Sequence, residues 1–100
     1  MINKLEEARK IIDEVDSQMV ELFEKRMNAV RLVYEYKSEH GLPILDTKRE
    51  EAVIEKNAAK INNDMLKGYY IDYLKQMMAL SRAYQQKLQN GLKEDDKGGI

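Results

Sequence analysis

One apolar stripe dominates the first forty residues of this 100-residue chain. Its members recur at alternating steps of three and four, the period of an amphipathic or coiled-coil helix: Leu5, Ala8, Ile12, Val15, Met19, Leu22, Ala29, Val33 and Tyr36. The spacing predicts a first helix over about residues 3–39. Such a helix is roughly 55 Å long, whereas a compact globule of this size has a radius of gyration near 13 Å. The remaining residues are too few to cover the stripe, so we expect an intertwined homodimer.

Two breakers predict where the first helix ends. Gly41 suits a left-handed C-cap, and Pro43 prevents the residue before it from continuing the helix. Either Asp46 or Thr47 offers the N-cap of a second helix, and the run Thr47-Lys48-Arg49-Glu50 fits a capping box that Glu50 would close. The linker between the first two helices is therefore short.

The second half of the chain predicts two further helices. An apolar face places the second helix over residues 47 to about 61, before a polar break with Asp64 as a candidate N-cap. Tyrosine, methionine and leucine side chains then repeat by three and four over about residues 65–89. The expected fold class is all-α, with a long, a short and a medium helix in one domain over residues 1–90. A charged, Gly-rich and flexible tail is expected over residues 91–100.

Composition excludes several classes of function. Hydrophobic residues make up 43% and charged residues 35%, which is too apolar for a disordered chain and too evenly mixed for a membrane span. The net charge of −1 favours neither nucleic acid nor a membrane surface as a partner. The chain has no cysteine and one histidine, His40, which argues against thiol nucleophiles, His-based triads and zinc sites. The first ten residues carry five charges and no apolar run, so we expect no signal peptide and a cytoplasmic location.

Basic residues interrupt the apolar stripe of the first helix. Arg26 falls on the stripe, and Lys37 follows it by three helical turns on the same side, about 16 Å along the axis. Arg26 fits a buried ion pair, a register-setting polar residue or an arginine whose stem lies across the seam, or else an anion site inside the bundle. Arg9 lies roughly 25 Å before Arg26, so it is either a surface residue or a contribution from the other subunit.

Polar residues on the other two helices form a second group of candidates. The start of the second helix carries a cluster of Asp46, Arg49 and Glu50. Free backbone N–H groups there can hold an anion or a hydroxyl; alternatively, these side chains only cap the helix. Ser81 and Gln85 lie one turn apart on the third helix, so they can point inward together. The alternative for Ser81 is a hydroxyl that bonds its own backbone.

The polar positions, in this order and spacing, resemble the all-helical class of chorismate mutases. Three stretches are similar to that family's signature: residues 8–16, 37–50 and 80–85. The ordered set that carries the resemblance is Arg9, Ile12, Asp16, Arg26, Lys37, Pro43, Asp46, Arg49, Glu50, Ser81 and Gln85. It implies the conversion of chorismate to prephenate, a unimolecular Claisen rearrangement on the route to phenylalanine and tyrosine. Such a step needs no nucleophile, metal or cofactor, only a compact conformer and stabilised charge.

The resemblance also implies a role for each candidate. Arg26, and Arg9 from the partner chain, would bind the two carboxylates of the substrate. Lys37 and Gln85 would donate to the ether oxygen, and Glu50 would accept from the ring hydroxyl. The other substrate-binding candidates are Asp46, through its backbone, Arg49 and Ser81. Two alternatives stay open: an isochorismate-pyruvate lyase on the same fold, and a non-catalytic helical dimerisation module whose basic residues make interchain ion pairs.

Overall fold

The computed structural model describes residues 3–91, and these form three helices and no strand. Helix α1 spans Lys4–His40, α2 spans Thr47–Ala58 and α3 spans Asp64–Gln89. The all-helical fold class and the long, short and medium order are therefore confirmed. The predicted flexible tail lies, from residue 92 onward, outside the described residues.

Helix α1 begins and ends within one residue of the prediction. The side chain of Asn3 caps its start by accepting from the backbone N–H of Glu6 at 2.8 Å. Gly41 ends the helix in the left-handed region with φ 63°, and the backbone N–H of Leu42 donates to the carbonyl of Lys37 at 2.8 Å. This closing turn reverses the chain and returns the linker over the last turn of α1.

Helix α2 begins where the sequence predicts but ends earlier. Of the two candidate N-caps, Asp46 takes the role, and its side chain accepts from the backbone N–H of Arg49 at 3.0 Å. Glu50 does not close a capping box, because its carboxylate contacts Arg82 of α3 instead. The helix ends at Ala58, three residues early, in a tight turn that leaves the polar break in irregular structure.

Helix α3 is capped one residue earlier than predicted. Asn63, rather than Asp64, provides the capping side chain, which accepts from the backbone N–H of Met65 at 3.0 Å. Asp64 becomes the first helical residue, where its negative charge favours the positive end of the helix dipole. Helices α1 and α2 both pack on α3, so α3 is the central element of the chain.

The buried core is small and lies along α3. Its apolar members are Val30, Ala58, Leu74, Met78 and Leu88, and two polar side chains of α3 are also buried. The core therefore lies between α3, the C-terminal half of α1 and the end of α2. This placement leaves the N-terminal half of α1 without cover from the rest of the chain.

Large apolar side chains remain exposed along that first half of α1. Leu5, Ile12 and Leu22 each expose more than half of their surface, although they belong to the predicted apolar stripe. The longest dimension of the molecule, 56 Å, equals the length of about 55 Å that a 37-residue helix reaches. Among residues 3–91, no helix combines the length and apolar character that a membrane span requires.

Candidate functional site

A cavity of about 370 Å³ opens where the three helices converge. Seven of the eight candidate residues line it: Arg26, Lys37, Asp46, Arg49, Glu50, Ser81 and Gln85. The eighth, Arg9, is exposed on α1 and lies roughly 25 Å along the helix from Arg26. The volume falls within the range of about 300–1,000 Å³ that is typical of small-molecule sites.

Arg26 reaches across the cavity wall to α3. Its Nη1 donates to Oγ of Ser81 at 2.5 Å, and the same hydroxyl donates to the backbone carbonyl of Met77 at 3.0 Å. Ser81 is buried, and its hydroxyl is a neutral acceptor that fixes the guanidinium without cancelling its charge. No carboxylate lies within ion-pair distance of Arg26 in the described part of the chain. The expectation of a buried ion pair within this chain therefore fails for Arg26.

Lys37 is held at the opposite end of the cavity by the linker. Its Nζ donates to the backbone carbonyl of Ile44 at 2.6 Å, and the side chain is half-buried. The turn at Gly41 makes this contact available, because it folds the linker back over the end of α1. An ammonium has three N–H donors, so two remain for a ligand after the contact with Ile44.

Two acidic side chains at the start of α2 have partners within the protein. Asp46 accepts from the backbone of Arg49, which is the capping role. Glu50 receives Nη1 of Arg82 at 2.6 Å on one carboxylate oxygen and at 2.5 Å on the other. The interpretation of this cluster as a helix cap is thus correct for Asp46 but not for Glu50.

Gln85 is the most unusual polar group of the site. The residue is only 6% exposed, and its Oε1 is buried without a hydrogen-bond partner. A buried carbonyl without a partner is costly, so almost all such groups in native proteins are hydrogen-bonded. Within residues 3–91 no protein group binds this amide, which leaves it free to bond a ligand or water in the cavity.

The charges and walls of the cavity suit a small dianion. Four cationic side chains, Arg26, Lys37, Arg49 and Arg82, and two acidic ones, Asp46 and Glu50, give a formal net charge of +2. Apolar side chains form the rest of the lining: Ala29, Val30, Val33, Ile44, Val53 and Met78. These walls reduce the water around a bound molecule, and charged contacts are stronger in a lower dielectric. No group of three or more metal-ligating side chains occurs in the region that the structure describes.

Sequence reasoning did not assign a role to Arg82. Its contact with Glu50 joins residues 32 positions apart, a pairing that no local pattern reveals. The available signal is its position directly after Ser81 and three residues before Gln85, at the edge of the same helix face. The apolar lining was likewise missed, since its members match the ordinary core pattern of a helix.

A family model and a named relative point to the same family. The model described as chorismate mutase type II matches residues 8–86. The chain is 39% identical over 56 residues to a chorismate mutase of Methanocaldococcus jannaschii, an overlap of 56% of this chain and 57% of that protein. It is 34% identical over 84 residues to the T-protein of Haemophilus influenzae, an overlap of 79% of this chain and 21% of the relative. The chain thus matches less than two thirds of the length of either relative, and no solved structure matches significantly.

Proposed function

This chain belongs to the type II chorismate mutase family, and from that premise we propose that it converts chorismate to prephenate. The observation that carries the proposal is the cavity itself, which gathers seven of the eight candidate residues around a net charge of +2. Chorismate is a dianion with a ring hydroxyl and an ether oxygen. The lining has complementary side chains for one carboxylate, the ring hydroxyl and the ether oxygen.

Binding of the two carboxylates selects the reactive conformer. Arg26 is fixed by the neutral hydroxyl of Ser81, so its charge and remaining N–H donors are available to one carboxylate. We assign the second carboxylate to Arg9 of the partner subunit. Two anchors that hold both ends of a flexible dianion bring the reacting carbons together, which lowers the entropic part of the barrier.

Stabilisation of the breaking bond is assigned to two donors. In the rearrangement the ether C–O bond breaks while a C–C bond forms, and negative charge develops on the ether oxygen. Lys37 would supply a charged donor through Nζ, and the buried Gln85 would supply a neutral amide donor through Nε2. Preorganised donors of this kind act more strongly on the transition state than on the substrate.

The start of α2 is assigned to the substrate's ring hydroxyl. Glu50 accepts from this hydroxyl, supported by the backbone at Asp46, while Arg49 and Ser81 maintain the surrounding network. The carboxylate has about four lone-pair sites, so it can accept from a ligand while it remains paired with Arg82. The reaction needs no proton transfer from any of these groups.

We also propose that the working unit is a homodimer. The exposed apolar side chains of α1 are too numerous and too regularly spaced for a solvated helix face, and a second copy would cover them. An antiparallel arrangement of two α1 helices would bring Arg9 of one protomer towards Arg26 of the other. Sedimentation equilibrium tests this part directly: it is expected to give twice the chain mass, and a monomer at micromolar concentration would contradict it.

The activity is tested by offering the purified protein chorismate and isochorismate separately. Prephenate is the expected product from chorismate, whereas salicylate and pyruvate from isochorismate would favour the lyase. The matched variants are Arg26→Met, which is expected to lose turnover, and Lys25→Met, which removes a neighbouring exposed cation and is expected to keep it. No consumption of either substrate by the wild-type protein would favour the non-catalytic module.

A further inference from the structure

Arg82 is the one cation of the cavity that the proposed chemistry does not use. Its side chain is about one third exposed, that of Glu50 about one quarter, and the two meet across the contact between α3 and α2. A single nitrogen, Nη1, lies 2.6 Å and 2.5 Å from the two carboxylate oxygens. This ion pair joins two helices, whereas the pairs Arg31–Glu35 and Lys67–Asp64 each lie within one helix.

The geometry of the pair constrains the carboxylate of Glu50. A glutamate side chain has three rotatable bonds, and without a partner it samples many rotamers. One nitrogen placed between both oxygens occupies the lone pairs that face each other. A carboxylate has about four lone-pair sites, so others remain for a ligand in the cavity that Glu50 lines.

Two other cations of the cavity, Arg26 and Lys37, differ from Arg82 in their partners. Arg26 contacts a hydroxyl and Lys37 contacts a backbone carbonyl, so both keep their full charge for an anionic ligand. The charge of Arg82 is balanced by Glu50. Arg82 therefore suits the role of orienting a side chain better than that of binding a substrate carboxylate.

We propose that Arg82 is a positioning residue: it holds the carboxylate of Glu50 towards the substrate's ring hydroxyl and so makes the enzyme selective for hydroxylated substrate. This inference rests on the proposed function and extends it to a residue that acts through another. The hydrogen bond accepted by Glu50 comes from the ring hydroxyl, so its loss is expected to matter only for a substrate that carries this hydroxyl. The bond is charge-assisted, so the loss is expected to be large.

The test compares two substrates and three variants. Arg82→Met is expected to lower kcat/KM for chorismate by about 10- to 100-fold, the range for a hydrogen bond to a charged group. For an analogue in which hydrogen replaces the ring hydroxyl, the same variant is expected to change kcat/KM by less than about threefold. Arg82→Lys is expected to retain more activity than Arg82→Met, because one nitrogen makes the observed contact. Lys75→Met removes a cation beside the same ion pair but outside the cavity, and no change is expected.

The outcomes separate this inference from the proposed function. Equal losses of kcat/KM on both substrates would show that Arg82 only supports the fold. No loss on either substrate would show that Glu50 needs no positioning. Each result would overturn the inference while the mutase activity stands. Absence of chorismate turnover by the wild-type protein would overturn both. Adding Arg82→Met to Glu50→Gln is expected to lower activity no further, since residues that act as a unit are not additive. If Arg82→Met fails to fold by circular dichroism, Arg82→Lys carries the same comparison of substrates.

Discussion

Replacement of Lys37 by methionine removes the charged donor to the ether oxygen while it preserves most of the aliphatic stem. Lys37 is half-buried, and its Nζ is held 2.6 Å from the carbonyl of Ile44, so the ammonium is oriented before the substrate arrives. Removal of one preorganised donor of this kind costs about 2.7–4 kcal/mol of transition-state stabilisation. We therefore expect kcat to fall by about 10²–10³-fold in Lys37→Met.

The split between kcat and KM identifies the origin of the loss. A donor that acts mainly in the transition state lowers kcat and kcat/KM by the same factor, whereas one that only binds substrate raises KM. Both constants come from the initial rate of chorismate absorbance loss in a series of substrate concentrations. The lost contact with Ile44 also predicts a fall of about 1 kcal/mol in the free energy of unfolding, which a urea titration measures.

Lys25→Met is the matched control for this prediction. Lys25 lies on the same helix, is exposed and does not line the cavity, so its replacement is expected to leave kcat and KM unchanged. A Lys37→Met protein with kcat within about threefold of the wild type would remove Lys37 from the mechanism. Equal losses in the two variants would show that the general charge of α1, not the position of one donor, sets the rate.

Two further predictions concern the other ends of the site. Gln85 is an amide and does not titrate, so turnover of the wild type is expected to stay constant between about pH 5 and pH 8. Gln85→Glu introduces a carboxyl with a reference pKa near 4.3 that donates only when protonated, so kcat of this variant is expected to fall as the pH rises through the pKa of the new group. A pH profile identical to that of the wild type would contradict the role of Gln85. Asp46→Ala removes the side chain that caps α2, so the free energy of unfolding is expected to fall by about 1 kcal/mol in a urea titration, whereas Asp46→Asn is expected to retain most of it.

Local rules were sufficient to predict most of the helix boundaries. The start and end of α1 depend on short-range features, a capping side chain and the pair of breakers at Gly41 and Pro43, and both fall within one residue of the prediction. The N-cap of α2 was left open between two residues, and that of α3 was wrong by one residue, for a common reason. Several residues that can cap a helix are adjacent in the sequence: Asp46 and Thr47 before α2, and Asn63 and Asp64 before α3. The backbone conformation with which the chain enters each helix decides between them.

The site was predictable where it depends on one helix at a time. Helical periodicity predicts that Arg26 and Lys37 share one face of α1. It predicts the same for Ser81 and Gln85 on α3. The contact of Glu50 with Arg82 joins two helices, so it depends on how α2 packs on α3 rather than on any repeat. The position of Arg9 relative to the cavity depends on a second copy of the chain, and it stays a prediction.

The most direct test of a shared active site is subunit mixing between two inactive variants. Arg9→Ala and Arg26→Ala are each expected to have little activity alone. In a random mixture about half of the symmetric dimers contain one chain of each kind, and one of their two sites then has both arginines, so activity is expected to recover to about a quarter of the wild-type value. Native mass spectrometry confirms that the subunits have exchanged. No recovery in an exchanged mixture would contradict an active site built from Arg26 of one protomer and Arg9 of its partner.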